Sequence, residues 1–301
     1  MSVVTKSFDS FGSAVAVGEF EVGSVEWLDL RRTGVGGSDV ASIMGWSKWT
    51  SAYALWALKC GFVQDSVQND AMEWGSLLEP VIRDKFARMH PEWMVVNCKQ
   101  TFAHKDESWR LANVDGFIYA GDSIGLLEIK TARFEDDWAE GVPLYYEAQV
   151  QWYLMTFGLS WAKVVVLFGG SSYREYDVFF DELFAERLLE RAREFRSCVV
   201  SGSAPEWDGS VSTLETVRQM HPQIVDESVE LGDLGVHLML AASDVERAEE
   251  HLREMKSRTI EAMGSARYGV VSHDDGSEVR VATRMAKGQG LPYLVVKKAV
   301  K

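Results

Sequence analysis

Two acidic residues and a lysine are predicted to lie close together on a β-hairpin. Residues 111–130 (LANVDGFIYAGDSIGLLEIK) read as two strands around a central Ala-Gly-Asp-Ser turn. With the turn centred between its Gly and Asp, Asp115 lies directly opposite Glu128, and their Cβ atoms are roughly 5 Å apart. Alternate residues of a strand share a face, so Lys130 joins Glu128 while Ile129 points to the other face.

This convergence of charges predicts a divalent metal site. Two adjacent carboxylates on an apolar hairpin are costly unless a cation offsets their charge. Mg²⁺ is commonly held by one or two carboxylates, waters and substrate phosphate, which leaves positions open for catalysis. Lys130 would then orient or activate the attacking water, or offset charge at the phosphate. The alternative is that Glu128 and Lys130 form an exposed, ion-paired strand face and that Asp115 is a turn residue.

A third acid, Glu79, lies among apolar residues in the segment 72–80 (MEWGSLLEP), so its carboxylate is predicted to face inward. Proline disfavours helical geometry in the residue before it and fits the first turn of a helix. We therefore expect a helix from Pro80 to Met89, with Glu79 near its start. The alternative is that Glu73 or Glu79 only interacts with the helix dipole.

Residues 144–157 (LYYEAQVQWYLMTF) are predicted to form a helix that begins after Pro143. Gln149 and Tyr153 are four residues apart and share a face of this helix, and Tyr146 lies one turn before Gln149. These side chains are candidates to contact a substrate or to order the site. The alternative is a Tyr- and Trp-rich amphipathic helix that serves only the core.

The spacing Asp-x₁₂-Glu-x-Lys resembles the catalytic signature of PD-(D/E)xK nucleases. Together with the segment 27–39 (WLDLRRTGVGGSD), the motifs resemble the YqaJ-type phage recombinases, the family of lambda exonuclease, over roughly residues 26–210. The resemblance implies catalytic roles for Asp115, Glu128, Lys130, Glu79 and Gln149. It implies metal ligation by Glu79, Asp115, Glu128 and the Ile129 carbonyl. It implies DNA or 5′-phosphate binding by Arg31, Ser38, Asn113, Arg133, Tyr146 and Tyr153.

The resemblance also implies an activity. We expect an Mg²⁺-dependent phosphodiester hydrolase, with Mn²⁺ as a substitute, that digests linear duplex DNA in the 5′→3′ direction. The resulting 3′ overhangs would pass to a single-strand annealing protein for phage homologous recombination. The family implies a ring-shaped trimer that works at duplex DNA ends. Two alternatives are an endonuclease of the same fold and a non-catalytic DNA-end-binding recombination scaffold.

The elements that must position these residues predict an α/β or α+β fold. Helical patterns at 38–44, 51–60 and 80–89 come before the hairpin, and the helix at 144–157 is followed by a buried strand at 162–168. This order is typical of a central mixed sheet flanked by helices. The resemblance specifies a restriction-endonuclease-like core.

A second region is predicted after residue 210. The segment 203–210 (SAPEWDGS) interrupts the pattern after a helix at 181–199 and separates a nuclease domain (1–210) from a C-terminal arm (211–301). In the arm, a heptad seam from Leu238 to Met255 predicts one long helix, and 267–284 predicts a β-hairpin. The seam either packs within the chain or contacts another copy or a partner.

The net charge of −14, from 31 basic and 45 acidic residues, argues against non-specific coating of nucleic acid by bulk charge. It is compatible with a local basic site. The three cysteines form no CxxC pair, which disfavours a disulfide framework, a zinc knuckle or a four-thiolate iron–sulfur cluster. The apolar runs are too short to span a membrane, so we expect a protein of the bacterial host cytoplasm, encoded by a phage or prophage.

Overall fold

The chain divides into two units, one up to Ile224 and the other from Val225 onwards. The computed structural model describes residues 3–21, 24–64 and 69–297. The helices of the first unit are α1 (Val25–Thr33), α2 (Gly37–Ile43), α3 (Ala52–Lys59), α4 (Asp70–Met89), α5 (Leu144–Phe157), α6 (Glu182–Ser201) and α7 (Val211–Met220). Its strands are β1 (Val4–Thr5), β2 (Ser10–Phe11), β3 (Ala14–Glu19), β4 (Met94–Asn97), β5 (Gln100–His104), β6 (Leu111–Ala112), β7 (Gly116–Ala120), β8 (Ser123–Ala132), β9 (Trp161–Phe168) and β10 (Ser172–Phe179).

A six-stranded sheet in the order β1-β4-β7-β8-β9-β10 forms the centre of the first unit. The pairs β1·β4 and β8·β9 are parallel and the other pairs are antiparallel. Strand alternation divides the core, because Leu126 packs with residues of α5 while Leu127 packs with residues of α4. Helices therefore cover both faces, and the predicted central mixed sheet is confirmed.

The hairpin β7–β8 has the predicted register. Gly116 pairs with Leu127 and Ala120 pairs with Ser123, so partners have the spacing expected for a turn centred between residues 121 and 122. The first predicted strand is interrupted, however. β6 pairs with β5 in a separate four-stranded sheet, β2-β3-β5-β6, and residues 113–115 cross from that sheet to the central one. Asp115 consequently lies one residue before β7.

The predicted helix start at Pro80 is wrong. α4 begins ten residues earlier, where the Asn69 side chain accepts a hydrogen bond from the Met72 N–H at 3.0 Å, and Pro80 lies inside the helix. An interior proline costs about 3 kcal/mol. Apolar residues on both sides of Pro80, from Leu78 to Phe86, pack against the sheet and offset that cost. Glu79 is therefore in the middle of a helix.

The other predicted helices of this unit correspond to α2, α3, α5 and α6. The predicted domain boundary near residue 210 falls just before α7, which packs on α3. The Thr213 hydroxyl donates a hydrogen bond of 2.8 Å to the Ser51 hydroxyl, and both residues are buried. This contact places α7 with the first unit, and the division between the two units follows Ile224.

The second unit contains α8 (Asp233–Met263) and an antiparallel sheet of β11 (Tyr268–Ser272), β12 (Glu278–Met285) and β13 (Tyr293–Val296). The long helix and the hairpin β11–β12 match the predicted arm, whereas β13 had no sequence signal. Leu238, Val245 and Leu252 of the predicted seam are exposed along α8. Among the described residues, no helix is both long and apolar enough to cross a membrane.

Candidate active site

Glu128, Lys130 and Gln149 form a hydrogen-bonded cluster between β8 and α5. Glu128 lies on a central strand and is only 3% exposed. Lys130 Nζ donates to Glu128 Oε1 at 2.6 Å and to Gln149 Oε1 at 3.1 Å. Gln149 Nε2 donates to Glu128 Oε1 at 2.8 Å and to the Tyr153 hydroxyl at 3.1 Å. The Gln149 amide thus holds the acid and the lysine in one arrangement.

Asp115 and Glu79 approach this cluster from the start of β7 and from α4. Asp115 Oδ2 accepts a hydrogen bond of 2.6 Å from the Ile129 N–H, so the Asp115 carboxylate contacts the backbone of β8. Arg83, one turn after Glu79 on α4, contacts both acidic residues. Its Nη2 pairs with Glu79 Oε1, and its Nε donates to the Asp115 carbonyl oxygen at 3.1 Å.

Burial raises the pKa of all three acids, and neighbouring carboxylates raise those of Glu128 and Glu79 further. Burial, more than the nearby charges of Asp115 and Glu79, raises the pKa of Glu128 to about 8. Burial and the Asp115 carboxylate raise the pKa of Glu79 to about 7, against the opposing effect of Arg83. The pKa of Asp115 is also raised, mainly by burial. Burial lowers the pKa of Lys130, but the Glu128 and Asp115 carboxylates outweigh it and raise that pKa above its ordinary value.

The donor set suits a hard divalent cation. Glu128 Oε2 is buried and has no hydrogen-bond partner among the described residues, which is costly for a carboxylate oxygen. One oxygen of each acid is already engaged: Glu79 Oε1 by Arg83, Asp115 Oδ2 by the Ile129 N–H, and Glu128 Oε1 by Lys130 and Gln149. In the described ranges, no group of three or more His, Cys, Asp or Glu side chains is arranged so that it could hold a metal ion as it is. Oxygen ligands and one open oxygen nevertheless fit Mg²⁺ or Mn²⁺.

A cavity of about 740 Å³ connects the cluster to two of the predicted phosphate-binding residues. Arg31 from the last turn of α1 and Ser38 from α2 line it together with Glu79, Lys130 and Tyr146. Ile129 and Thr131 also line this cavity. The Lys130 Nζ lies 4.8 Å from the centre of the Tyr146 ring, so this tyrosine forms part of the wall next to the lysine.

Three other predicted DNA-binding residues lie elsewhere. Asn113 donates to Thr101 Oγ1 at 2.6 Å and lines a second cavity of about 740 Å³, which also contains Asp115 and Glu79. Arg133 is exposed beyond the end of β8, with its guanidinium 5.1 Å from the centre of the Phe134 ring. Tyr153 is buried behind Gln149, and burial raises its pKa well above the ordinary value.

Sequence reasoning did not identify the buried pair Asp39 and Lys59 behind Arg31. Lys59 Nζ contacts Asp39 Oδ2 at 2.8 Å and donates to the Arg31 and Gly34 carbonyl oxygens. Although burial opposes it, the positive charges of Lys59 and Arg31 lower the pKa of Asp39. No local pattern signals a contact between residues 20 positions apart. The ion pair between Arg83 and Glu79 was not predicted either, although the two residues are four positions apart, a spacing that favours such pairs in a helix.

Comparison with known proteins agrees with the motifs and the fold. Residues 26–160 match the model of the YqaJ-like viral recombinase domain. The chain is 29% identical over 265 residues to the uncharacterised protein YqaJ of Bacillus subtilis, covering 84% of this chain and 82% of that protein. It is 28% identical over 148 residues to protein D345L of African swine fever virus, covering 42% and 43% of the two chains.

Among solved structures, an alkaline exonuclease from Laribacter hongkongensis has a similar fold. The TM-score is 0.50 and the sequence identity is 22%, over 60% of this chain and 94% of that chain. The family match lies within the first unit, which carries the acidic cluster. Residues 26–160 therefore match the YqaJ-like viral recombinase domain, as the motifs predict.

Proposed function

We propose that this chain is a metal-dependent deoxyribonuclease that digests linear duplex DNA from its 5′ ends. The observation that carries the proposal is the buried Glu128 Oε2, which no described residue hydrogen-bonds, beside two further acids and a lysine. A binding protein for phosphate has no use for clustered acids, whereas a hydrolase that employs a cation needs them. The viral recombinase domain and the exonuclease fold support the same activity.

Glu79, Asp115, Glu128 and the Ile129 carbonyl would hold Mg²⁺, with Mn²⁺ as a substitute. Bound there, the ion would polarise the scissile phosphate and lower the pKa of water. Lys130 contributes a positive charge beside that position, where it orients the attacking water or offsets charge on the phosphate. Gln149 holds the Lys130 and Glu128 side chains in position through its three hydrogen bonds, to Lys130, Glu128 and Tyr153. Arg83 fixes the Glu79 side chain and the Asp115 backbone.

The location of Arg31 and Ser38 supports the 5′→3′ direction. Both line the same cavity as Lys130, so a terminal 5′-phosphate bound there would leave the next phosphate at the acidic cluster. Digestion of one strand in this direction yields 3′ overhangs, which a single-strand annealing protein would use in recombination. Asn113, Arg133 and Tyr146 would contact the DNA strand, and Tyr153 would support Gln149 from behind.

A ring-shaped trimer in the host cytoplasm completes the proposal. A ring would place the cations of each site towards a central passage, and the acidic residues would face outwards. This distribution would reconcile DNA binding with a net charge of −14, because positive charge is needed only where the phosphate backbone runs.

Digestion of defined DNA tests the proposal. Linear duplexes with and without a 5′-phosphate are incubated with Mg²⁺ or EDTA, beside a covalently closed circle. We expect loss of the phosphorylated linear duplex with Mg²⁺ only, and none with Lys130→Ala or Glu128→Gln. Lys163→Ala is the matched control, since Lys163 lies on the neighbouring strand and pairs with Asp177. Cutting of the circle would identify an endonuclease, and DNA binding without turnover in every reaction would identify a scaffold.

A further inference from the structure

Trp49 is an exposed aromatic residue on the wall of the cavity that contains Lys130 and Arg31. Its side chain is 64% exposed, although tryptophan is one of the most apolar and usually most buried side chains. The cavity volume of about 740 Å³ lies in the range of nucleotide-sized ligand sites. An apolar ring left in water at the edge of such a cavity is available to a ligand.

The loop that carries Trp49 is fixed in position. The Ser47 hydroxyl accepts hydrogen bonds from the Trp49 and Thr50 N–H groups at 3.2 and 3.1 Å. The neighbouring Lys48 Nζ pairs with Asp137 Oδ2 at 2.5 Å. The two hydrogen bonds restrain the backbone at Trp49 and Thr50, which reduces the conformational entropy that is lost when a ligand packs on the ring.

A run of aromatic rings connects Trp49 to the catalytic lysine. The Trp49 and Tyr145 rings are 5.3 Å apart and perpendicular, with an interplanar angle of 89°. Tyr145 and Tyr146 follow at 4.5 Å, and Lys130 Nζ lies 4.8 Å from the Tyr146 ring. In this edge-to-face contact Tyr145 covers at most one face of the Trp49 ring, so it leaves a face of that ring free for stacking. The contact also sets the orientation of the Trp49 ring.

We propose that Trp49 is a stacking platform for the base of the 5′-terminal nucleotide, the one that is released in each turnover. This inference rests on the proposed function and adds a subsite to it. Arg31 and Ser38 would take the 5′-phosphate of that nucleotide, and the acidic cluster its 3′-phosphate, so its base needs an apolar surface in the same cavity. Stacking does not depend on base identity, which suits an enzyme that removes every nucleotide in turn.

Binding of duplexes with a missing base tests the proposal. Dissociation constants are measured by fluorescence anisotropy with Ca²⁺ in place of Mg²⁺, which slows cleavage. The 5′-phosphorylated duplexes carry an ordinary first nucleotide, an abasic first nucleotide or an abasic second nucleotide. Trp49→Ala is compared with the wild type, with Trp49→Phe, which keeps a ring, and with Trp74→Ala. Trp74 is the matched control, being an exposed tryptophan on α4 outside the lining of this cavity.

We expect Trp49→Ala to bind the ordinary duplex about tenfold more weakly than the wild type does. On the duplex with the abasic first nucleotide, the two proteins should bind within about twofold of each other, because the stacking partner is gone. Trp49→Phe should recover most of the loss, and Trp74→Ala should bind like the wild type.

Equal losses with Trp49→Ala on the ordinary and abasic-first duplexes would overturn the inference and leave the proposed function intact. A loss that disappears only with the abasic second nucleotide would overturn the assignment to the terminal base. Failure of the wild type to bind any duplex would instead refute the proposed function itself.

Discussion

Glu128 should make the folded protein less stable as the pH rises, and replacing it with glutamine should remove this effect. Its pKa is about 8 in the folded protein, compared with an ordinary value of 4.5. Between these two values the folded protein retains a proton that the unfolded chain has released. Stability due to this group is therefore complete below pH 4.5 and is lost as the pH rises through about 8.

The magnitude follows from the same two values. One retained proton lowers the free energy of unfolding by about 1.4 kcal/mol for each pH unit. Between pH 5 and pH 8 the loss is on the order of 4 kcal/mol, and the opposing effect of Lys130 is already contained in the pKa of about 8. In Glu128→Gln the side chain at this position no longer titrates. The free energy of unfolding of this variant should therefore fall less than that of the wild type over the same pH range.

Urea unfolding in EDTA, followed by tryptophan fluorescence, measures this difference. All 11 tryptophans occur at or before Trp207, so the signal reports only the first unit. Wild type and Glu128→Gln are compared at half-unit steps from pH 5 to pH 8.5, and Glu190→Gln on the exposed side of α6 is the control. If the stability difference between wild type and Glu128→Gln does not change with pH, the raised pKa of Glu128 is refuted.

Three further substitutions test the packing around the site by urea unfolding in the same buffer. Lys59→Met leaves the buried Asp39 carboxylate without its closest cation and should cost on the order of 3 kcal/mol; a cost under about 1 kcal/mol would contradict the buried ion pair. Gly37→Ala places a Cβ 2.5 Å from the Tyr153 ring and should cost about 1–3 kcal/mol and lower nuclease activity, whereas an unchanged midpoint would contradict this close packing. Pro80→Ala restores a backbone N–H inside α4 and should stabilise the protein by about 1–2 kcal/mol, and a loss of stability would show that the proline is needed.

The hairpin could be predicted from the sequence because its register depends only on local features. A turn signal and strand alternation were sufficient to predict the register that pairs Gly116 with Leu127 and the position of Lys130 beside Glu128. Gln149 was identified in the same way, since helical spacing links it to Tyr153. What spacing could not provide was the contact between β8 and α5, which joins residues about 20 positions apart.

The position of α4 illustrates where local rules fail. A proline inside a helix is unfavourable, and this holds for Pro80. The packing of Ile82 and Phe86 against the sheet outweighs the cost of this proline. The pair of Asp39 and Lys59 shows a second limit, because a buried ion pair is stable only in a tertiary setting that brings both residues together.

Protons and a divalent cation should compete for the same carboxylates. With pKa values of about 8 for Glu128 and about 7 for Glu79, much of the acidic charge at the site is neutralised by protons at pH 7. Both protons must leave before the oxygens can bind Mg²⁺, so the metal affinity should rise steeply between pH 6 and pH 8. Calorimetric titration with Mg²⁺ measures this directly, and titrations in buffers of different ionisation enthalpy count the protons released.

We expect about one proton to be released per ion at pH 7 and fewer above pH 8.5, with a corresponding fall in the Mg²⁺ concentration needed for nuclease activity. Glu128→Gln should weaken binding and reduce the release, because it removes a ligand together with its proton. A metal affinity that is constant between pH 6 and pH 8.5 would mean that the ion binds away from Glu79 and Glu128, and the assignment of these acids as its ligands would have to be abandoned.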